Sequence, residues 1–390
     1  MGSTGSNGRL GSSARSLRAL APSLNDRLEE IFSSPTWYPG ELDLERNRLS
    51  FIRLSREDYS KATFLDIRQL REYETCKVNI DDLLLYSYRA PKKQAPIQYI
   101  LHGAFCCSTL LARYLDLLPR PFALREPGIL ATIAGLDSQR TPARARLNKI
   151  YGSGAATRWE ELFALCLRLL GRTYDENAVV VIKVNDLCNV FGHVLLERDP
   201  ESKAVFLSTS LRTFLLSTLK TEKRRAWVEQ RVQRTRLHPI SFPLLDAIQV
   251  DELNAAQRSA YLWLFNQMLC HDLLKRWSRE RVLPMNGDIV AETPSKALKS
   301  AVDFWSWPVE EDQMTRVLAD PMASNYSKYK GESHPYDATE RRKDLARWEE
   351  LFLEEVEQGV TWATTVTGSR NLDWPPATSN FERELLSTPS

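Results

Sequence analysis

The sequence predicts an α/β fold: a three-layer sandwich with a mostly parallel sheet flanked by helices, plus an N-terminal extension and a C-terminal helical region. Three observations predict it. The runs AVVVIKV at 178–184 and AVFL at 204–207 are apolar, β-branched and bounded by turn residues, as buried strands are. The segment 157–170 has helical periodicity, with Trp159, Leu162, Phe163, Cys166, Leu169 and Leu170 on one face. Strands and helices alternate along the middle of the chain, which implies βαβ units and hence parallel strands.

The bulk composition agrees with a soluble globular chain. Of 390 residues, 43% are hydrophobic and 26% charged, enough for one large core or two modest ones. With 52 basic against 50 acidic residues, the chain is no general nucleic-acid binder, so any basic site is local. The six cysteines fall at no zinc-type spacing and read as reduced thiols of a cytoplasmic protein. The five histidines show no metal spacing either, and no metal site is expected. No apolar run is long enough for a membrane span. Residues 1–22 are rich in Gly, Ser and Arg and lack the apolar core of a secretion signal. They formally fit a myristoylation pattern and faintly a transit peptide, but are expected to be a flexible tail, as are 367–390.

Between the tails, residues 23–95 form an accessory region and 96–366 the main domain. In the first, 24–32 reads as a helix, 49–54 as a strand and 59–73 as helical, with a Pro-bounded linker at 91–96. In the second, a strand at 97–101 leads to a helix at about 108–118. Further strands are expected at 121–124, 178–184 and 204–207, and a long amphipathic helix at 257–277.

The most informative segment is Tyr99-Ile100-Leu101-His102-Gly103-Ala104-Phe105-Cys106-Cys107-Ser108-Thr109-Leu110-Leu111. An apolar strand passes through a loop of mostly small residues into an amphipathic helix. Small residues let backbone amides converge on one anion, and the helix N-terminus adds unpaired N–H groups and the positive end of its dipole. Ser108 and Thr109 add hydroxyl donors; the same two residues also serve in an ordinary strand-to-helix turn with a helix cap. The order comes close to a Walker A P-loop, but neither a lysine nor a second glycine precedes Ser108-Thr109.

This pattern resembles the sulfotransferase superfamily, whose first strand–helix loop reads Gly-x-Pro-(Arg/Lys)-Ser-Gly-Thr-Thr-Leu-Leu. Ser108, Thr109, Leu110 and Leu111 match its last four positions, while Ala104, Phe105, Cys106 and Cys107 stand where the family has Pro, a basic residue, Ser and Gly. The resemblance implies a P-loop fold over about 96–331. It also implies that Gly103, Ala104, Phe105, Cys106, Cys107, Ser108 and Thr109 bind the phosphosulfate of 3′-phosphoadenosine 5′-phosphosulfate (PAPS). Downstream, 203–217 resembles the family's 3′-phosphate segment, a strand running into Arg-x-Pro-x-Asp-x-x-x-Ser. Ser217 matches its serine, Thr209 replaces its arginine, and Arg212 is carried as a substitute. Arg212 is equally read as a solvated helix-start residue.

Three further features follow the same order. Glu126, after the second strand, matches the place where many members carry the base that deprotonates the acceptor; it also reads as a surface carboxylate paired with Arg125. Lys183 ends the third strand at the same sheet edge, where α/β folds bind ligands, or snorkels to solvent. Lys328 and Lys330 resemble a late basic segment that covers the nucleotide, or form an exposed loop. His102, at the loop start, is a second candidate acid or base. A basic cluster at 223–225 and 231–236 is read as a solvated helix or as a contact for an acidic ligand.

The resemblance implies sulfuryl transfer from PAPS to a small-molecule or carbohydrate hydroxyl or amine, with Glu126, His102 and Lys183 as the catalytic groups. Two alternatives stand beside it: a catalytically degenerate nucleotide-binding relative, because Phe105 and Thr209 replace basic residues, and a P-loop kinase using ATP.

Overall fold

The computed structural model describes residues 23–368 apart from 68, 69, 71, 91–96, 138–140, 238, 239, 241 and 322–337. Strands β1 (Trp37–Asp43), β2 (Arg48–Arg53) and β3 (Thr75–Asn79) form a small antiparallel sheet in the order β1-β2-β3. Strands β4 (Ile97–His102), β5 (Pro121–Arg125), β6 (Val179–Lys183), β7 (Ala204–Ser208) and β8 (Val282–Asn286) form a parallel sheet in the order β5-β6-β4-β7-β8. β4, the strand feeding the candidate loop, is therefore central.

Alternate residues of these strands enter two separate apolar layers. Ile100, Val181, Val205 and Leu283 face one side, where the helix Ser108–Asp116 and the helix Pro294–Phe304 pack. Tyr99, Leu101, Ile182 and Phe206 face the other, covered by the helices Ala155–Leu170, Leu211–Leu219 and Ala255–Arg281. Burial on both faces explains why these strands read as continuous apolar runs. The chain crosses to β5 and β6 on one side of β4 and to β7 and β8 on the other, which opens a crevice at the strands' C-terminal ends.

Several elements depart from the expected boundaries. The helix expected over 59–73 is only Arg56–Lys61, started three residues earlier by the Ser55–Asp58 capping box. Beyond Ala62 the chain is drawn onto the main sheet, where the Leu65 amide donates to the Arg125 carbonyl (2.8 Å) and the Leu65 carbonyl accepts from the Tyr38 hydroxyl (2.8 Å). Sequence reading passed over β1, β3 and β8; β8 carries Pro284, which an edge strand tolerates. The linker expected at 91–96 lies outside the described residues. A long C-terminal helix, Ala338–Gly368, lies against Leu211–Leu219 and Ala255–Arg281; Gly359 lets it approach so closely that an added Cβ would fall 2.9 Å from Leu215.

A buried ionic cluster ties the N-terminal region to the main sheet. Arg125 is 1% exposed, and its guanidinium donates to Asp116 (3.3 Å) and to the Ala62 and Ser60 carbonyls. Arg56 donates to the same carboxylate (2.9 Å), which also accepts from the Ala123 amide (3.0 Å). Breaking a buried pair leaves an uncompensated charge, at a cost of about 3–5 kcal/mol. Asp116→Ala is therefore expected to lower the unfolding free energy measured by urea titration by that amount, whereas Glu74→Ala, which breaks an exposed pair with Arg53, leaves it nearly unchanged.

Candidate active site

The loop after β4 is built from uncomfortable backbone. Phe105 (φ 63°) and Cys107 (φ 59°) are left-handed although neither is glycine, and so is Glu126 (φ 52°) across the crevice. Three of the six such residues among those described thus meet at one sheet edge, where each costs on the order of 1–3 kcal/mol and needs its surroundings to hold it. Those surroundings are visible. Asn189 clamps the strand end, accepting from the His102 amide (3.1 Å) and donating to the His102 carbonyl (2.7 Å) and to Asn266 (2.8 Å). The Gly103 amide donates to the Leu207 carbonyl (2.8 Å). Gly287, which opens the helix after β8, sits so close that an added Cβ would lie 2.2 Å from the Cys106 carbonyl oxygen.

Within the loop the side chains divide between the two layers. Phe105 packs on one apolar layer and Cys107 on the other. Cys106 is buried, its Sγ donating to the Gly103 carbonyl (2.8 Å), and burial with its neighbour Cys107 pushes the thiol up to about 12. It is a neutral packing group there. Ser108 is buried and Thr109 half-buried in the first turn of the helix.

Glu126 and Lys183 meet at this edge. Lys183 is 1% exposed, its ammonium paired with Glu126 Oε1 and lying 5.5 Å from the centroid of the Phe64 ring. Asn185 donates to Glu126 Oε2 (2.9 Å), and the Glu126 amide donates to the Lys183 carbonyl (2.7 Å). Burial works to raise the Glu126 carboxyl, but Lys183, His102 and Asn185 more than offset it and hold the group below the usual carboxylate range. Glu126 is thus paired with Lys183 rather than Arg125, whose charge is engaged with Asp116. His102 Nε2 lies 3.9 Å from Glu126 Oε1, which brings the three candidate catalytic groups together. Its ring nitrogens each lie 2.9 Å from a backbone carbonyl, Gly103 for Nδ1 and Val184 for Nε2. Burial and the Lys183 ammonium push the imidazole down to about 4, against the pull of Glu126 and the carbonyls.

Other candidates lie farther out. Arg212 points to the C-terminal helix, between Glu349 (3.0 Å) and Glu357, so an anion would have to displace two carboxylates to reach it. The Ser217 carbonyl accepts from Arg224. The Thr209 hydroxyl donates to Asp288 (2.8 Å), which also binds Arg341 (2.7 Å). Lys328 and Lys330 lie outside the described residues.

Sequence reading passed over Asn185, Asp186, Asn189 and Gly287, single polar or small residues in no recognisable pattern. Asp186 accepts from Arg231 (2.9 Å); burial raises its carboxyl, with Arg231 opposing and Glu126 adding to the rise. Among the described residues no group of His, Cys, Asp or Glu is placed to hold a metal ion, and no helix is long and apolar enough to cross a membrane.

No family model and no curated protein matches the chain. Solved structures similar to it include several sulfotransferases. The sulfotransferase domain from the curacin biosynthetic pathway is 14% identical, with a TM-score of 0.38 over 76% of this chain and 100% of that one. A sulfotransferase from Alicyclobacillus acidocaldarius is 15% identical, with a TM-score of 0.33 over 66% of this chain and 96% of its own. A mouse sulfotransferase complexed with PAP is 12% identical, with a TM-score of 0.36 over 75% of this chain and 91% of its own. At TM-scores below 0.5, none of them assigns a role to a residue here.

The neutral, buried His102 sets a pH dependence. Its folded value lies below its ordinary 6.5, so the unfolded chain binds the proton more readily. The associated stability is complete above about pH 6.5 and is lost as pH falls towards about 4, a change on the order of 3 kcal/mol. Urea midpoints measured across that window should fall steeply for the wild type and less steeply for His102→Gln. Equal slopes would mean that the imidazole titrates alike in both states.

Proposed function

We propose that the chain transfers a sulfuryl group from PAPS to a hydroxyl or amine acceptor. The observation that carries this reading is the buried Glu126–Lys183 pair, set at the mouth of a strained, helix-starting loop and 3.9 Å from the histidine that opens it. Such an edge offers an anion cradle, a proton acceptor and a cation within one crevice.

On this reading the amides from Ala104 onward, the Ser108 and Thr109 hydroxyls and the dipole of the helix Ser108–Asp116 hold the phosphosulfate. The Gly103 amide is already engaged with Leu207. As the acceptor oxygen or nitrogen bonds to sulfur, the bond from sulfur to the 5′-phosphate oxygen breaks and its electron pair leaves with the phosphate. The acceptor's proton passes to Glu126, which its neighbours keep ionised at neutral pH. Lys183 neutralises charge on the departing phosphate, with Lys328 or Lys330 as further candidates. His102 is the second candidate for the proton; to take it, the ring has to release the Val184 or Gly103 carbonyl. Positioning and electrostatics supply the rate. A small molecule or carbohydrate is the acceptor class in this proposal.

One observation favours a second reading, binding without turnover: the loop has no Lys or Arg of its own, and Phe105 occupies its middle.

Two measurements test the first reading. 3′-Phosphoadenosine 5′-phosphate should bind without added metal and raise the melting temperature by mass action, and Ser108→Ala/Thr109→Ala should weaken binding at least tenfold. Equal affinity in that double variant would place the ligand elsewhere. With labelled PAPS and a pool of hydroxyl acceptors, Glu126→Gln should keep donor affinity while turnover falls by about 10²–10⁴. Because this variant also leaves Lys183 without its carboxylate, turnover is read only where melting shows a folded protein, with Glu126→Gln/Lys183→Met as the neutral control. Full turnover in folded Glu126→Gln would remove Glu126 as the base.

A further inference from the structure

Residues 103–109 carry no Lys or Arg, yet the structure brings a guanidinium over the ring of one of them, Phe105. Phe105 is left-handed (φ 63°), and its ring is set in an aromatic frame: Trp227 meets it edge-on at 5.3 Å and Phe214 lies tilted at 6.2 Å. Over the ring lies Arg224, its Cζ 4.7 Å from the centroid. Arg224 also donates to the Ser217 carbonyl, so its head group is held from two directions. A guanidinium lies flat on an aromatic face and spreads its charge across that plane, which a lysine ammonium does not reproduce.

Other cations gather at the same place. Lys220 caps the end of the helix Leu211–Leu219, just before the helix that carries Arg224, and Arg341 comes from the C-terminal helix, where it also binds Asp288. Burial lowers the Lys220 ammonium, and Arg224 and Arg341 lower it further, against the pull of Asp344. Cations close enough to depress one another favour an anion among them.

We infer that Arg224, laid over the Phe105 ring, supplies to the anion bound at the loop the positive charge that residues 103–109 lack. Phe105 is then a platform, and the position is not simply degenerate. The inference rests on the donor-site reading above, but it differs in what it requires: a cation delivered from the helix Glu222–Thr235 instead of from the loop.

The test is calorimetric titration of the full chain with two probes, 3′-phosphoadenosine 5′-phosphate and inorganic pyrophosphate, with every variant first checked by thermal melting. Arg224→Ala should weaken both probes at least tenfold, and Arg224→Lys should recover only part of the loss. Phe105→Leu should weaken both several-fold although it removes no charge. Phe105→Lys/Arg224→Ala, which returns a cation to the loop, should regain most of the lost affinity; a merely structural role for Arg224 would not be rescued this way. Wild-type affinity for both probes in Arg224→Ala, or a loss that the loop lysine does not restore, overturns the inference. Pyrophosphate binding that depends on Arg224 without nucleotide binding would uphold it while removing the sulfuryl-donor reading. Nucleotide binding that ignores Arg224 would do the reverse.

Discussion

Everything at the crevice leans on one buried ion pair. Lys183 closes β6 inside the protein, where an ammonium is tolerated only with a carboxylate at hand, and Glu126 reaches it from the end of β5. At that point the Glu126 backbone is left-handed and its carboxylate stands beside His102. Arg125, the preceding residue, faces a different partner, so two adjacent charged side chains serve opposite ends: one stitches the N-terminal region to the sheet, the other equips the edge.

Burial and the same pair together set the protonation states around the loop. Burial, with the Lys183 ammonium added to it, keeps His102 neutral; burial also raises Asp186, with Arg231 opposing and Glu126 adding to the rise. The edge is therefore an alternation of charges held by their neighbours, with a neutral ring among them. On the proposed reading little charge has to be rearranged when the donor binds, which is the condition under which fixed dipoles and charges act most strongly.

The fold was legible wherever a single physical signal dominated. β4, β6 and β7 are buried on both faces, so their apolar runs stood out within a residue or two of their true bounds. β1 and β3 carry mixed burial and polar residues, and β8 holds a proline, so no run announced them. The helix expected over 59–73 failed because tertiary bonds to Arg125 and Tyr38 draw the chain straight after Ala62, which no local propensity encodes. At the site, sequence order placed the loop, Glu126 and Lys183 on one edge. It could not show that Arg212 would face Glu349 and Glu357, or that Arg224 would lie over Phe105, since both depend on how helices outside the sheet pack.

Gly287 has a consequence for how the chain matures. The Cys106 carbonyl is shaped against a residue that follows β8, so the loop's final geometry depends on a segment far downstream. The contact exists only in a chain that extends through β8 to Gly287. A polypeptide that still lacks β8 would therefore carry an incompletely shaped loop. On the proposed reading, donor affinity would mark the completed molecule, since a chain ended before β8 would lack both this contact and the helices Pro294–Phe304 and Ala338–Gly368 that cover the core.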